Sequence, residues 1–272
     1  MDRLTRHADL LALSGDDPWV RWVVPDPLPG EVWVHEGVAL VQRLGERPGF
    51  WVAPLSGMPR PGGGGSVLGS EASGATERAR VRAALVALRD GGHLPRLGAR
   101  AVSVPQEHAA LAHEVLDLGA GGEWEWMWTT TEPETDDRER DVIPLDDGRD
   151  AAELETFTRA HNPRVWTQIG TGRVHHWVGL RDVAGRLVAI GGAEREATGV
   201  AHLAGIVTAR EHRGTGLATV VSAALTRWAV AERGVCTLGV FSDNLAARRV
   251  YARLGYRTAR AWHSRMLAGV RG

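Results

Sequence analysis

Lysine is missing altogether: all 32 cationic side chains of this 272-residue chain are arginine. Together with the abundance of Ala and Gly, that absence reads as the coding bias of a high-GC bacterium and not as a functional signature. Cysteine occurs once, at Cys236, which excludes an intramolecular disulfide and a cysteine-based metal cluster and suits a reducing compartment. No apolar run approaches the ~20 residues a membrane helix needs. Met1 to Leu13 interleaves Asp, Arg and His, so the apolar core of a signal peptide is lacking. An excess of one charge is lacking too. The net charge of −1 gives no bulk basic field to recruit nucleic acid or an anionic membrane. A soluble, cytoplasmic protein with no nucleic-acid, membrane or metal partner is the expectation.

The length suits two domains. Pro54 to Gly74, with Pro59, Pro61 and the tetraglycine Gly62–Gly65, reads as a flexible loop. Thr129 to Asp141 packs charges around Pro133 without apolar periodicity and reads as a linker. The expected division is residues 1–130, a linker at 131–141, and residues 142–272.

The second half alternates clearly. Val142 to Leu145 predicts a short strand, and Asp150 to His161 a helix stopped by Asn162-Pro163. His176 to Leu180 and Leu187 to Ala193 flank Asp182-Val183-Ala184-Gly185 as in a hairpin. His202 to Val207 is the next strand. From Leu217 the apolar residues Val220, Val221, Ala224, Leu225 and Trp228 share one helical face, with Gly234 as C-cap. Val235 to Phe241 predicts a strand, Leu245 to Leu254 a helix closed by Gly255, and Thr258 to Met266 a last strand. The order gives a mixed α/β sheet with helices on its faces. A fainter copy runs through Arg78–Leu88 (helix), Ala101–Val104 (strand), His108–Leu118 (helix, with Gly119 behind) and Glu123–Trp128 (strand), an internal duplication. That copy lacks an Arg-x-x-Gly-x-Gly run, and Gly62–Gly65 reads as a loop in preference to a remnant of one.

Chemistry concentrates between Thr208 and Ala218. A strand, a small-residue turn opening with Arg213, and a helix N-terminus together present backbone N–H groups to an anion. Gly214 and Gly216 allow close approach. Arg213, Gly214, Thr215, Gly216, Leu217 and Ala218 spell R-x-x-G-x-A, and downstream comes Asn244-x-x-Ala247-x-x-x-Tyr251-x-x-x-Gly255-Tyr256. A dinucleotide fold is the rival reading, weakened by Thr219 where a third glycine belongs, although Asp243 sits where a ribose partner would.

The two motifs together resemble the GCN5-related N-acetyltransferase (GNAT) superfamily over roughly Val142 to Met266. The resemblance implies a mostly antiparallel sheet whose fourth and fifth strands splay to admit acetyl-CoA, and two tandem GNAT-like halves of which the first is degenerate. Gly205, Ile206 and Val207 would offer strand-edge groups to the pantetheine arm, and Arg213 to Ala218 would hold the diphosphate. An N–H near Val207 would face the oxyanion, and Tyr251 would be the general acid. Asn244 reads equally as helix N-cap and as CoA ligand.

The implied reaction is acetyl transfer to the amine of a small molecule or peptide in a ternary complex. A non-catalytic acyl-CoA sensor is the alternative. The first half would shape the acceptor site or a homodimer contact. His202, Glu194, Glu196, His175 and His176 are candidate bases, each more readily structural. His212 and His161 read as a loop residue and a helix C-terminal residue. Trp124, Trp126 and Trp128 share one strand face, which reads as core in preference to an acceptor wall. Arg248 and Arg249 could reach a 3′-phosphate, and Cys236 reads as buried and inert.

Overall fold

Valine, tryptophan and leucine runs separated by short polar turns give the first 55 residues an all-antiparallel beginning. The computed structural model of the chain describes residues 1–55 and 68–268, the side chains of 68–73 aside. Pro59, Pro61 and Gly62–Gly65 therefore lie outside the described residues. The chain divides into two compact units, Met1–Glu125 with Arg260–Gly272, and Trp126–Ala259.

In the first unit β1 (Asp2–Leu4) is followed by α1 (His7–Leu13) and α2 (Pro18–Val23). A meander of β2 (Val32–His35), β3 (Val38–Arg43) and β4 (Gly49–Pro54) comes next. Glu36 and Gly37 turn the β2–β3 hairpin with φ of 49° and 78°, the left-handed values that tight hairpins require. Then come α3 (Leu68–Asp90), α4 (His93–Arg96), β5 (Ala101–Pro105), a 3₁₀ turn at Gln106–His108, α5 (Ala109–Val115) and β6 (Leu118–Thr129). β1, β2, β3 and β4 pair antiparallel in that order, and β4 pairs parallel with β5. Val81, Ala84, Leu85 and Leu88 of α3 and Leu111, Ala112 and Val115 of α5 cover one face of this sheet.

The second unit repeats the order. β7 (Ile143–Leu145) and α6 (Ala151–His161) lead into β8 (His176–Arg181), β9 (Leu187–Arg195) and β10 (Ala201–Thr208). α7 (Leu217–Arg233), β11 (Cys236–Phe241) and α8 (Leu245–Arg253) complete it, and the last strand, β12 (Arg257–Leu267), belongs to the first unit from Arg260 on. β7 to β10 are antiparallel, and β10 pairs parallel with β11. α7 and α8 pack on one face of the sheet through Val220, Val221, Leu225 and Tyr251. Leu154 and Phe157 of α6 pack with Trp177, Ile190 and Val207 on the other. Both units are thus mostly antiparallel sheets flanked by helices, the mixed α/β class expected. Along the chain, strand, helix, three-strand meander, helix, parallel strand, helix and strand occur twice in that order. Among the described residues no helix is long and apolar enough to cross a membrane.

One helix of the first half is shorter than its sequence suggests. α5 stops at Val115, because Leu116 is already extended (φ −117°, ψ 145°), and Leu118-Gly119 opens β6 in place of closing a helix. The glycines there serve strand approach: a Cβ on Gly121 would fall 1.9 Å from the Ser264 carbonyl oxygen of β12. The expected linker also has structure of its own. Asp137–Asp141 is a 3₁₀ turn with a capping box between Asp136 and Glu139, and Glu139 meets Arg227 of α7.

Gly205 marks an irregularity in β10, where the register against β9 shifts between Ala204 and Val207. Its φ is +64°, and a Cβ would lie 2.7 Å from the Trp177 ring. Backbone strain and overpacking both oppose a side chain here. Gly205→Ala is expected to destabilise the chain by roughly 2 kcal/mol, read from the midpoint of urea unfolding. An unchanged midpoint would mean that the Trp177 contact is soft.

Candidate active site

The parallel pairing of β10 with β11 covers Ala201–Leu203 against Cys236–Leu238 and then stops. Beyond that point the two strands separate, and the edge of β10 from Gly205 to Thr208 has no strand partner on that side. The register fixes which groups face the opening. Ala209 N–H donates to Val188 O at 2.9 Å, and Val207 pairs with Ile190 in the same register. Antiparallel alternation therefore directs the Val207 N–H at β9, and the N–H and C=O of Thr208 at the opening. Ile206 turns its side chain the other way, toward Gly191 and Leu225.

β10 ends in a 3₁₀ turn at Arg210–His212, and the chain enters α7 through Gly214 (φ 80°) and Gly216 (φ 87°). Gly216 is the N-cap and supplies no side chain to the helix start. Among the described residues the N–H groups of Gly214, Thr215, Gly216, Leu217 and Ala218 have no acceptor. Five such donors stand at the positive end of a 17-residue helix, an arrangement that suits an anion.

The loop is held from two sides. Arg213 does not point into the cradle: its guanidinium donates to His161 O at 2.5 Å, and His161 Nδ1 accepts from Arg210 N–H at 3.2 Å. His161 thus ties the end of α6 to the turn. From the other side Arg138 Nη1 donates to Thr215 O at 2.8 Å, and a Cβ on Gly216 would lie 3.2 Å from that guanidinium. Asp136, held to about 2 by hydrogen bonds from Arg138, orients it. Arg138 stands 77 residues before Thr215 in the chain, with no motif to mark it.

Tyr251 is 7% exposed and packs 5.8 Å from Tyr256, ring to ring. Its hydroxyl has no hydrogen-bond partner among the described residues, whereas that of Tyr256 is 2.8 Å from Thr226 Oγ1. Burial, with the nearby Cys236, raises the Tyr251 phenol above its ordinary value. The Cys236 thiol is fully buried and pushed up to about 12 by burial, which makes it inert. Asn244 caps α8, its Oδ1 accepting from Ala247 N–H at 3.2 Å. Arg248 and Arg249 donate to Ser242 O and Leu245 O. Asp243 is taken by Arg164 at 3.1 and 3.3 Å, and the antiparallel sheet removes the dinucleotide reading.

The candidate bases are scattered. His202 lies five residues before Val207, roughly 16 Å along an extended strand. Its Nδ1 is 2.8 Å from Glu196 Oε1 and 2.9 Å from Thr237 Oγ1. Trp126 Nε1 also donates to Glu196 at 3.4 Å. Burial pulls the imidazole down, but the Glu196 carboxylate, with Glu194 behind it, raises it above its ordinary value overall. His176 stacks on Trp228 at 4.5 Å and is lowered by burial. His175 is exposed at a cavity of about 310 Å³ lined also by Asp147 and Trp177. Asp147 accepts from Gly170 N–H, Gly172 N–H and Trp177 Nε1 at 3.2, 2.7 and 2.8 Å. Those bonds fix the loop between α6 and β8. Within that loop Trp166 stands 61% exposed, 6.1 Å from Phe241 at the end of β11. A larger groove of about 580 Å³ runs along α7 past Thr219 and Ala223. Neither cavity is lined by Tyr251, Ile206 or Thr208.

Residues 125–256 match the model of the acetyltransferase (GNAT) family. No curated protein matches the chain significantly. Among solved structures, a GNAT-family acetyltransferase from Novosphingobium aromaticivorans is 28% identical over 55% of this chain, with a TM-score of 0.47. The chain spans 66% of that protein's length. A GCN5-related N-acetyltransferase from Kribbella flavida is 17% identical over 96% of this chain and 95% of its own, with a TM-score of 0.52. A tandem GNAT protein from the clavulanic acid biosynthesis pathway is 16% identical over 100% and 99%, with a TM-score of 0.45. At such identities the Kribbella structure speaks to the fold alone, over nearly the whole chain.

The His202–Glu196 pair gives a pH-dependent prediction. His202 holds its proton more tightly folded than unfolded, so its stabilisation is complete below about 6.5 and is lost as pH rises through the raised folded value. In Glu196→Gln only Glu194 is left to oppose burial, and the His202 titration followed by NMR is expected to fall from its raised value. The stability difference between wild type and variant should be largest on the acid side. An unmoved titration would mean that Glu196 does not set it.

Proposed function

The chain carries a domain of the GNAT acetyltransferase family at residues 125–256, and from this premise we propose an acetyl-CoA-dependent N-acetyltransferase that acts on an amine in a ternary complex. The observation that carries the reading is the set of five unpartnered N–H groups at the start of α7, beside the point where β10 and β11 part. They suit the diphosphate of CoA, with Arg138 as the nearest fixed cation. Asn244 is assigned to capping α8, and Arg213 to holding the loop on α6.

With the diphosphate at α7, the pantetheine arm runs along the exposed edge of β10 past Thr208 and Ile206. The neutral amine of a small molecule or peptide attacks the thioester carbonyl carbon, forming the C–N bond and an oxyanion. The Thr208 N–H, facing the opening, is the donor we assign to that oxyanion, one residue beyond Val207. Collapse breaks the C–S bond and expels CoA thiolate. The thiolate takes the Tyr251 proton, and the attacking nitrogen, still carrying its extra proton in the new amide, returns a proton to the phenolate through water. Burial keeps Tyr251 neutral throughout the working pH range, so its proton is available to the leaving sulfur.

Titration calorimetry with acetyl-CoA, followed by an amine panel monitored for free thiol, tests the reading. Binding with thiol release supports it, and absence of binding overturns it. Tyr251→Phe should lower turnover by roughly 100-fold while leaving acetyl-CoA affinity intact. Full turnover in that variant would remove Tyr251 as the acid. Arg138→Ala should weaken acetyl-CoA binding about tenfold, less so at high salt. Unchanged or tighter binding would mean that Arg138 only fills the cradle.

A further inference from the structure

In the first unit, the turn after β5 gathers three side chains that acyl transfer does not use. Glu107 and His108 come from the 3₁₀ turn and Glu77 from α3, and one ligand atom from each lies within 4.8 Å of the other two. His108 is 5% exposed, and its Nε2 has no hydrogen-bond partner. That nitrogen lies 3.3 Å from Glu77 Oε1. An unsatisfied buried polar atom costs on the order of 1–3 kcal/mol and marks a place where an ion or water belongs. Two donors bound at about 2.0–2.1 Å to one tetrahedral zinc ion stand roughly 3.3 Å apart. The His108–Glu77 separation fits two ligands of one ion as well as a direct ion pair.

We propose that Glu77, Glu107 and His108 form a site for a divalent transition-metal ion of the Zn²⁺ type. One imidazole and two carboxylates neutralise the ion, and water completes its coordination. Arg78 and Arg82 on the same helix are engaged by Glu114. The ion clips α3 to the β5–α5 turn. The corresponding turn of the second unit joins β11 to α8, where Asn244 holds the position that His108 holds before α5 but caps the helix with its side chain, as His108 does not. The proposal is independent of the acyl-transfer reading.

The test uses the full chain stripped with a chelator and titrated with Zn²⁺, by calorimetry and by competition with a chromogenic zinc indicator. Mg²⁺ is titrated in parallel. Wild type is expected to bind Zn²⁺ at this site and to ignore Mg²⁺ at the same concentration. Glu107→Gln changes an exposed residue and leaves the fold intact. It should weaken Zn²⁺ at least about tenfold, as should Glu77→Gln. Zn²⁺ should raise the unfolding temperature of wild type but not of the double variant. A second pair, His113 and His263, has Nε2 atoms 3.2 Å apart and is controlled with His113→Ala. Zn²⁺ binding lost in His113→Ala but kept in Glu77→Gln and Glu107→Gln would overturn the proposal, as would no binding by wild type.

Discussion

Much of the second unit depends on where the parallel pairing of β10 with β11 stops. Three residues pair on each strand. After that the register shift at Gly205 leaves the outer edge of β10 without a neighbour. A side chain at position 205 would collide with Trp177, so the packing of the α6 face and the opening on the other edge share one glycine. The chain then leaves β10 in the direction that brings α7 in N-terminus first.

The anion cradle works because α7 is left uncapped. A Ser or Asp at the N-cap would consume one or two of the free donors and strengthen the helix by about 1 kcal/mol. Gly216 gives up that stability and keeps the N–H groups open. The loop is instead braced from outside, by Arg213 on His161 and by Arg138 on Thr215. Arginine suits both positions, since its guanidinium can hold a carbonyl and a carboxylate at once. In Arg138 that division is visible, with Asp136 on one edge and Thr215 O on another.

How much of this was legible follows from how each element is buried. α7 was readable because its apolar residues recur at helical spacing and because Gly216 and Gly234, both in left-handed backbone, delimit it. β8 to β11 were readable from their apolar runs and turn residues. The meander β2 to β4 was not identified: its strands are buried on both faces, so the alternation that marks a half-exposed strand is absent. Its only local signal was Glu36-Gly37. The motif residues of the cradle were legible as a group, but their side-chain partners were not. His161 and Arg138 reach it from 52 and 77 residues away, and such contacts are made by the fold. Asn244 was open between two roles, and its bond to Ala247 N–H shows the capping one.

The repeat of element order adds a constraint that neither unit shows alone. The fold always delivers a helix start and a strand-to-helix turn to neighbouring places, and the residues on them decide what can bind. In the second unit bare backbone donors and Arg138 favour an anion. In the first, Glu77 on α3 and Glu107 in the turn before α5 would repel a diphosphate brought beside them, and a Coulomb repulsion between unit charges a few ångströms apart amounts to several kcal/mol near a protein surface. A duplicated scaffold with inverted charge can therefore retain its topology without retaining its ligand. On this argument acyl-CoA chemistry belongs to the second unit, and the first contributes whatever its own charges select.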